Sequence, residues 1–340
     1  MSWEGFEKKR APYESPREAP DLLIVATPDS AHLGVLEAAA TREVLAVVEK
    51  PFSLTAREVA RARRLPGLVL GVDHFPAYIS AAVGHADDLW QHLGGQIESV
   101  RFVLVQRTPI EVPRLPSLGS GLTFDMLPHF LALLVSLGIV GPLGTTTVSR
   151  AGRHVPLSRA HPPPRDTGYA AETWSETRFE LTGAPVASGR TISCTGLVGK
   201  GFPVDARFLE LSAPSGAAVR LDLGSASWQD PTYPYGLVSL LAPAGRHGAG
   251  TWLRPGPARV KALGPRLSTA RPYPEIVRQL TGGPGTTRSA ACLFTVDECE
   301  WMMDVLEPLG AAARQMAGGD AGTDHDLGTF PDTTFRGPAC

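Results

Sequence analysis

The sequence predicts an α/β part, a parallel sheet with crossover helices, followed by an α+β part built on a large, open, mostly antiparallel sheet. Three observations carry this. Near the start lie three short, nearly unbroken apolar runs, each ending in polar residues. Capped, crossover-length segments separate them, and from Glu98 onward the pattern switches to alternation. Unbroken runs suit strands buried on both faces, whereas alternation suits strands with one wet face.

The apolar runs are Asp21 to Thr27 (DLLIVAT), Glu43 to Pro51 (EVLAVVEKP) and Leu68 to Phe75 (LVLGVDHF). Segments starting at Pro28-Asp29-Ser30 and at Leu54-Thr55 lie between them, each long enough for one crossover helix. Thr55 is placed to cap the second of these helices, with Glu58 completing a capping box and Leu54 and Val59 forming a hydrophobic staple. Three βα units in series imply one parallel sheet. Ligands collect at the carboxyl edge of such a sheet, where Thr27, Lys50 and His74 all fall. Residues 1–20 read as a short remnant, too brief for a full βαβ unit of about 30 residues.

Ala77 to Leu93 has helical character and is stopped by Gly94-Gly95. Strand alternation then marks Glu98 to Thr108, Trp174 to Thr182, Gly189 to Leu197, Phe208 to Ser212 and Ala218 to Leu223. Two helices interrupt the pattern, Thr123 to Leu137 and a last one from Thr295 to about Met316, which Thr295 and Glu298 open as a capping box. Ser225 to Arg271, rich in Gly and Pro, reads as long loops with short strands. The expected organisation is 1–94 for the α/β domain, 95–317 for the α+β domain, and 318–340 as a disordered tail.

At 340 residues the chain can bury a sizeable core. Its net charge of −2 provides no electrostatic footprint for nucleic acid or an anionic membrane. No apolar run is long enough to span a bilayer, and the start lacks a signal-peptide core. Cys194, Cys292, Cys299 and Cys340 are scattered without a C-x-x-C pair, so neither a disulfide framework nor a zinc site is expected. These features point to a reducing, cytoplasmic setting and to small molecules or other subunits as partners. The basic residues comprise 27 Arg and only five Lys, Lys8, Lys9, Lys50, Lys200 and Lys261. Where Arg is the default cation, a Lys at a strand end draws notice, because an amine can lose its proton and a guanidinium does not.

Glu49-Lys50-Pro51 follows the second buried strand directly, and Pro51 is a candidate for a cis bond that aims Lys50 across the sheet edge. Lys50 has two readings: an ammonium polarising a hydroxyl or carbonyl oxygen, or a solvated lysine in a turn. Asp125 and His129 lie four apart in a predicted apolar helix, on one face. Their readings are a general base supported by a carboxylate, or a helix-terminal Asp beside a satisfied core His. In Thr27-Pro28-Asp29-Ser30-Ala31-His32 the helix start can meet an anion or a carboxamide, or Asp29 or Ser30 simply caps it. Asp73-His74 ends the third strand and reads equally as a turn. The nine His show no metal pattern, and no glycine cluster forms a dinucleotide fingerprint.

Taken in order, VATPDSAH, VEKPFSLTAREV, GSGLTFDMLPHFLALL and a late helix preceded by YPEIVRQLTGG closely resemble the Gfo/Idh/MocA family of NAD(P)-dependent oxidoreductases, over roughly residues 12–316. The resemblance implies a Rossmann domain followed by a large open sheet whose other face packs in homo-oligomers. It implies NAD or NADP as cofactor, and a sugar, cyclitol or related polyol as substrate. Lys50 would bind and polarise the reacting oxygen, His129 would move the proton, and Asp125 would support His129. Thr27, Pro28, His32, Glu49 and Lys50 would lie against the cofactor, and Lys50, Asp73, His74, Asp125 and His129 against the substrate.

Three departures stand out. The family's Asp-x-Gly-x-His-x-x-Asp has Leu127 in place of Gly and Ala132 in place of the last Asp. The EKPF and DHF pieces also resemble those of glucose-6-phosphate dehydrogenases, but Pro76-Ala77 follows here instead of the Gly-Lys that reaches the phosphate, so no phosphate site of that kind is expected. The first strand, its Gly-x-Gly-x-x-Gly turn and the ribose-reading residue are absent from the sequence, leaving a truncated Rossmann half and a sheet edge open. Two functions therefore stand: an oxidoreductase of this family, or a cofactor-free derivative that binds a ligand or partner subunit or performs elimination or epimerisation with Lys50 and His129.

Overall fold

The computed structural model describes residues 22–40, 44–79, 86–106, 121–140, 147–151, 155–156, 174–182, 190–200, 206–223, 238–241, 258–261, 276, 279–280 and 292–318. The N-terminal remnant expected above lies outside the described residues, as does the C-terminal tail apart from Gly318, which closes the last helix.

The first sheet is built as its apolar runs require. Strand β1 (Leu22–Val25) leads through a 3-10 turn (Asp29–Ala31) into helix α1 (His32–Ala39), and β2 (Leu45–Glu49) into α2 (Ala56–Ala62). Strand β3 (Val69–Val72) precedes α3 (Phe75–Tyr78) and α4 (Ala86–His92). The three strands run parallel, with Leu22 opposite Leu45 and Ala46 opposite Val69. Thr55 caps α2 through its side-chain oxygen, which accepts the Glu58 N–H at 3.2 Å, while Glu58 Oε2 accepts the Leu54 N–H at 2.9 Å. The single helix expected over Ala77 to Leu93 is two pieces among the described residues. Gly94 and Gly95, at φ 66° and 70°, end α4 in the left-handed conformation that glycine adopts freely.

The α+β part then runs β4 (Ser99–Gln106), α5 (Gly121–Ser136), β5 (Thr147–Ala151), β6 (Val155–Pro156), β7 (Trp174–Thr182), β8 (Ile192–Lys200), β9 (Ala206–Ser212), β10 (Ala218–Asp222), β11 (Val238–Leu241), β12 (Ala258–Lys261), β13 (Leu293–Thr295) and α6 (Val296–Gly318). The large sheet has the order β12-β11-β10-β9-β4-β8-β7-β5, with β6 pairing β7. It is antiparallel throughout except where β4 lies parallel to β8. Strand β13 returns to the first sheet and pairs antiparallel with β3, making the order β1-β2-β3-β13. Three residues carry too little periodicity to announce a strand, which is why β13 is invisible in the sequence.

Helix α5 is the centre of the core. Leu122, Phe124, Leu127, Phe130, Leu131, Leu133 and Leu134 are all buried, packed with Val100, Phe102, Leu104, Cys194, Val198 and Leu209 of the sheet and with α6. The approach is close enough to need glycines. A Cβ on Gly196 would sit 2.8 Å from Thr177 Oγ1 and 2.9 Å from Leu127 Cδ1, and one on Gly310 would run into the Phe124 ring, 2.9 Å from its Cδ2. The far face of the large sheet is not simply wet: Val103, Val105, Leu197, Ala206 and Phe208 form a second buried cluster. The Arg220 guanidinium lies 4.1 Å from the Phe208 ring centroid and pairs with Glu210 at 3.0 Å. By contrast β1 is exposed at its free side, Ile24 at 63 % and Leu22 at 37 %, and it has one partner strand among the described residues. No described helix is long and apolar enough to cross a membrane.

Gly310→Ala should lower the free energy of unfolding by about 1–3 kcal/mol, because Phe124 must shift to admit the methyl. Gly34→Ala, with nothing within 4 Å of its Cβ in a helix, should raise stability by about 0.5–1 kcal/mol, both read by denaturant titration.

Candidate active site

The carboxyl ends of β1, β2 and β3 meet the first turns of α5 and the end of β8, and the polar residues of these five elements converge there. After β1, Pro28 starts the 3-10 turn, and the Ser30 N–H donates to Asp29 Oδ1 at 2.9 Å. His32, buried at the start of α1, ties this loop to the next one. Its Nε2 lies 2.8 Å from the Thr27 carbonyl, and its Nδ1 lies 3.1 and 3.3 Å from the carbonyls of Pro51 and Phe52. One imidazole thus holds the ends of β1 and β2 together. Thr27 Oγ1 is buried there without a hydrogen-bond partner.

After β2 the Lys50–Pro51 peptide is cis. The Lys50 ammonium donates to Asp125 twice, to its backbone carbonyl and to Oδ1 at 2.8 Å. Lys200, at the end of β8, donates to the other carboxylate oxygen, Oδ2, at 3.1 Å. Asp125 therefore bridges two ammonium groups. Burial raises its pKa, but the charges of Lys50 and Lys200 outweigh burial and hold the carboxyl well below its usual range.

After β3, Asp73 and His129 form a buried dyad, 2 % and 5 % exposed. His129 Nδ1 lies 2.8 Å from Asp73 Oδ2 and 3.0 Å from Oδ1, and the Phe75 N–H donates to Asp73 Oδ1 at 2.8 Å. A carboxylate only accepts, so the hydrogen on His129 sits on Nδ1 and the Nε2 lone pair is left as the basic site. Phe75 stacks on the imidazole at 3.8 Å between centroids, and His74 meets it edge-on at 5.1 Å. Burial drives the His129 pKa down against the pull of Asp73, which keeps the ring a neutral base. Asp73 stays ionised, since His129 and the Phe75 N–H outweigh its burial. Burial first, then competition with His129 for a proton and the charges of Lys50 and Arg207, lowers His74 to about 4. Burial and the nearby Asp73 charge raise Glu49, whose carboxylate also accepts the Lys50 N–H at 3.2 Å.

The sequence-derived residues are thus brought together, with one change of partner. Asp125 does not hydrogen-bond His129; it acts on the ring only as a through-space charge, and the supporting carboxylate is Asp73. The i, i+4 spacing puts both side chains on one side of α5, but Lys50 and Lys200 offer Asp125 full charges while the end of β3 offers His129 a carboxylate. Lys200 was not among the expected site residues. Its strand runs three residues beyond the expected end at Leu197, and its signal was the scarcity of lysine that singled out Lys50. Ligand atoms of Asp73, His74 and His129 lie within 4.8 Å of one another, a grouping that the chain spacing of the nine His did not reveal. The free thiols of Cys194, Cys292 and Cys299 are buried.

No protein-family model and no curated protein matches this chain. Solved structures do. The chain is similar to the aldose-aldose oxidoreductase from Caulobacter crescentus complexed with glycerol, at 20 % identity over 92 % of this chain and 82 % of that one, TM-score 0.58. It is similar to the UDP-N-acetylglucosamine 3-dehydrogenase from Acidithiobacillus ferrooxidans, at 15 % identity over 87 % and 80 % of the two chains, TM-score 0.55. It is also similar to an oxidoreductase from Agrobacterium radiobacter in complex with NAD+, L-tartaric acid and magnesium, at 15 % identity over 89 % and 79 %, TM-score 0.55. At such identities the likeness establishes a shared fold, a Rossmann-like parallel sheet joined to a large, mostly antiparallel one.

Because His74 binds its proton less readily in the folded chain than in the unfolded one, the unfolded state holds more protons between about pH 4 and the ordinary His value of 6.5. Its contribution is full above that window and is lost as pH falls through it. Thermal unfolding should show wild type losing more stability from pH 7 to 4.5 than His74→Phe; equal losses would refute this.

Proposed function

We propose that this chain is an NAD(P)-dependent oxidoreductase acting on a CH–OH group of a sugar, cyclitol or related polyol. The observation that carries the reading is the buried Asp73–His129 dyad beside the Lys50 ammonium at the carboxyl edge of a parallel sheet. The neighbours' activities support it, since among them are a sugar-nucleotide dehydrogenase, an aldose-aldose oxidoreductase and a protein carrying NAD+.

The nicotinamide end of the cofactor fits the residues present. Thr27 Oγ1 is an unpartnered buried polar atom, and His32 fixes the loop that carries it. Thr27, Pro28, His32, Glu49 and Lys50 would hold that end. When bound, the nicotinamide accepts or returns the hydride.

The chain's own residues manage the proton and the oxygen. His129 Nε2 takes the proton of the substrate hydroxyl while Nδ1–H stays on Asp73, which steadies the imidazolium that forms. Lys50 has three N–H bonds and uses two on Asp125, so one remains to donate to the reacting oxygen as it gains carbonyl character. Asp125 is a positioning residue that aims the Lys50 ammonium. A second reading is acid/base chemistry without a hydride carrier, or ligand binding alone, for which Lys50 and the Asp73–His129 dyad would also serve.

Titration with NADH and NADPH, followed by nucleotide fluorescence, separates the two. Saturable binding at about micromolar concentration supports the oxidoreductase; a well-folded chain that binds neither overturns it in favour of the second reading. Asp73→Asn should lower kcat by about 10²- to 10⁴-fold with little change in KM. It should also move the acidic limb of the pH–rate profile to lower pH, because the carboxylate that raises His129 is gone. An unmoved limb would rule out the dyad as the working base.

A further inference from the structure

The pairing of Lys50 with Lys200 around one carboxylate has a charge consequence that the oxidoreductase reading does not use. Two ammonium groups and one carboxylate leave one positive charge, in a site where Lys50 and Lys200 are only 19 % and 17 % exposed. Hydrogen-bond capacity tells the same story. Lys50 spends two N–H bonds and Lys200 one, all on Asp125, so three N–H donors remain for a ligand. The other anions facing the site are already engaged. Asp73 is taken by His129 Nδ1–H and the Phe75 N–H, and the Glu49 carboxyl is pushed toward its neutral form by burial and by Asp73. On β9, Arg207 lies opposite Leu104 on the sheet face that carries Lys200, and its positive charge reaches His74.

Asp125 itself displays what such a pair recognises: one carboxylate with one oxygen on each lysine, at 2.8 and 3.1 Å. We propose that Lys200 and Lys50 together form an oxyanion subsite beside the reacting centre, so that the preferred substrate is a polyol bearing a carboxylate or phosphate and not a neutral one. In this arrangement Lys200 binds the anionic group with its two spare N–H bonds and also retains Asp125, which lets Lys50 turn its third N–H to the reacting oxygen. Ammonium groups this sheltered from water interact with a charged ligand more strongly than surface lysines do. The inference rests on the oxidoreductase reading for the reaction, but not for the binding.

The test uses three probes with one six-carbon polyol chain, D-gluconate, D-glucitol 6-phosphate and D-glucitol, titrated calorimetrically into the full chain without nucleotide. At least one of the two anions should bind about tenfold or more tightly than glucitol, equivalent to about 1.4 kcal/mol. Which anion does so separates a carboxylate subsite from a phosphate subsite. The preference should shrink as salt rises, vanish in Lys200→Gln and persist in Lys200→Arg. Asp125→Asn removes the internal competitor and should tighten anion binding, a change opposite to that of a misfolded variant. Equal affinity for glucitol, a preference that survives Lys200→Gln, or no binding of any probe to the folded chain would overturn the proposal. Hydride transfer is read separately at the nicotinamide absorbance, and its failure with the anion preference intact would sink the oxidoreductase reading alone.

Discussion

A helix as apolar as Gly121–Ser136 can carry two ionisable side chains only if each meets a partner where it lies. Here His129 meets Asp73 from the end of β3, and Asp125 meets Lys50 from the end of β2 and Lys200 from the end of β8. Removing a charge from water costs several kcal/mol per ion unless hydrogen bonds and opposite charges replace the hydration. That requirement joins the two sheets. The parallel sheet supplies Lys50 and Asp73, the large sheet supplies Lys200, and α5 lies where all three can reach it.

The same constraint sets the chemistry. A carboxylate on Nδ1 settles which nitrogen of His129 carries the hydrogen, and burial keeps the ring in its basic form. A carboxylate between two lysines fixes instead where the Lys50 ammonium lies, with one N–H left to meet an oxygen. The two acids of the site therefore have different tasks, decided by their partners and not by their own type. His32 adds precision of another kind, because one ring contacts the carbonyls of both Thr27 and Pro51 and so holds two strand-end loops at a fixed separation.

Close packing behind the site makes this placement possible. Gly196 lets Leu127 and Phe130 settle onto β8, and Gly310 lets α6 press against Phe124. With those contacts α5 is pinned on two sides, and Asp125 and His129 are held by a packed helix and not by a loop. Phe75 stacks on the imidazole at 3.8 Å and covers that face of the ring.

Much of this was legible in the residues themselves. Unbroken apolar runs mark the parallel strands β1 to β3; burial on both faces leaves no polar position in β2 and β3, whereas Leu22 and Ile24 of β1 stay exposed against that expectation. The capping boxes at Thr55 and Thr295 determine where α2 and α6 begin, because their hydrogen bonds are local. The strand-end positions of Lys50, Asp73 and His74, and the helical spacing of Asp125 and His129, follow from the same local patterns. Only the tertiary structure decided the partners: Asp73 and His129 are 56 residues apart, and Lys200 and Asp125 are 75 apart. It also decided that Leu293–Thr295 would join the first sheet and that the far face of the large sheet would bury Phe208 under Arg220. Periodicity reports which face a residue occupies, whereas charge pairing depends on which elements meet, and elements distant in the chain meet only when the core packs.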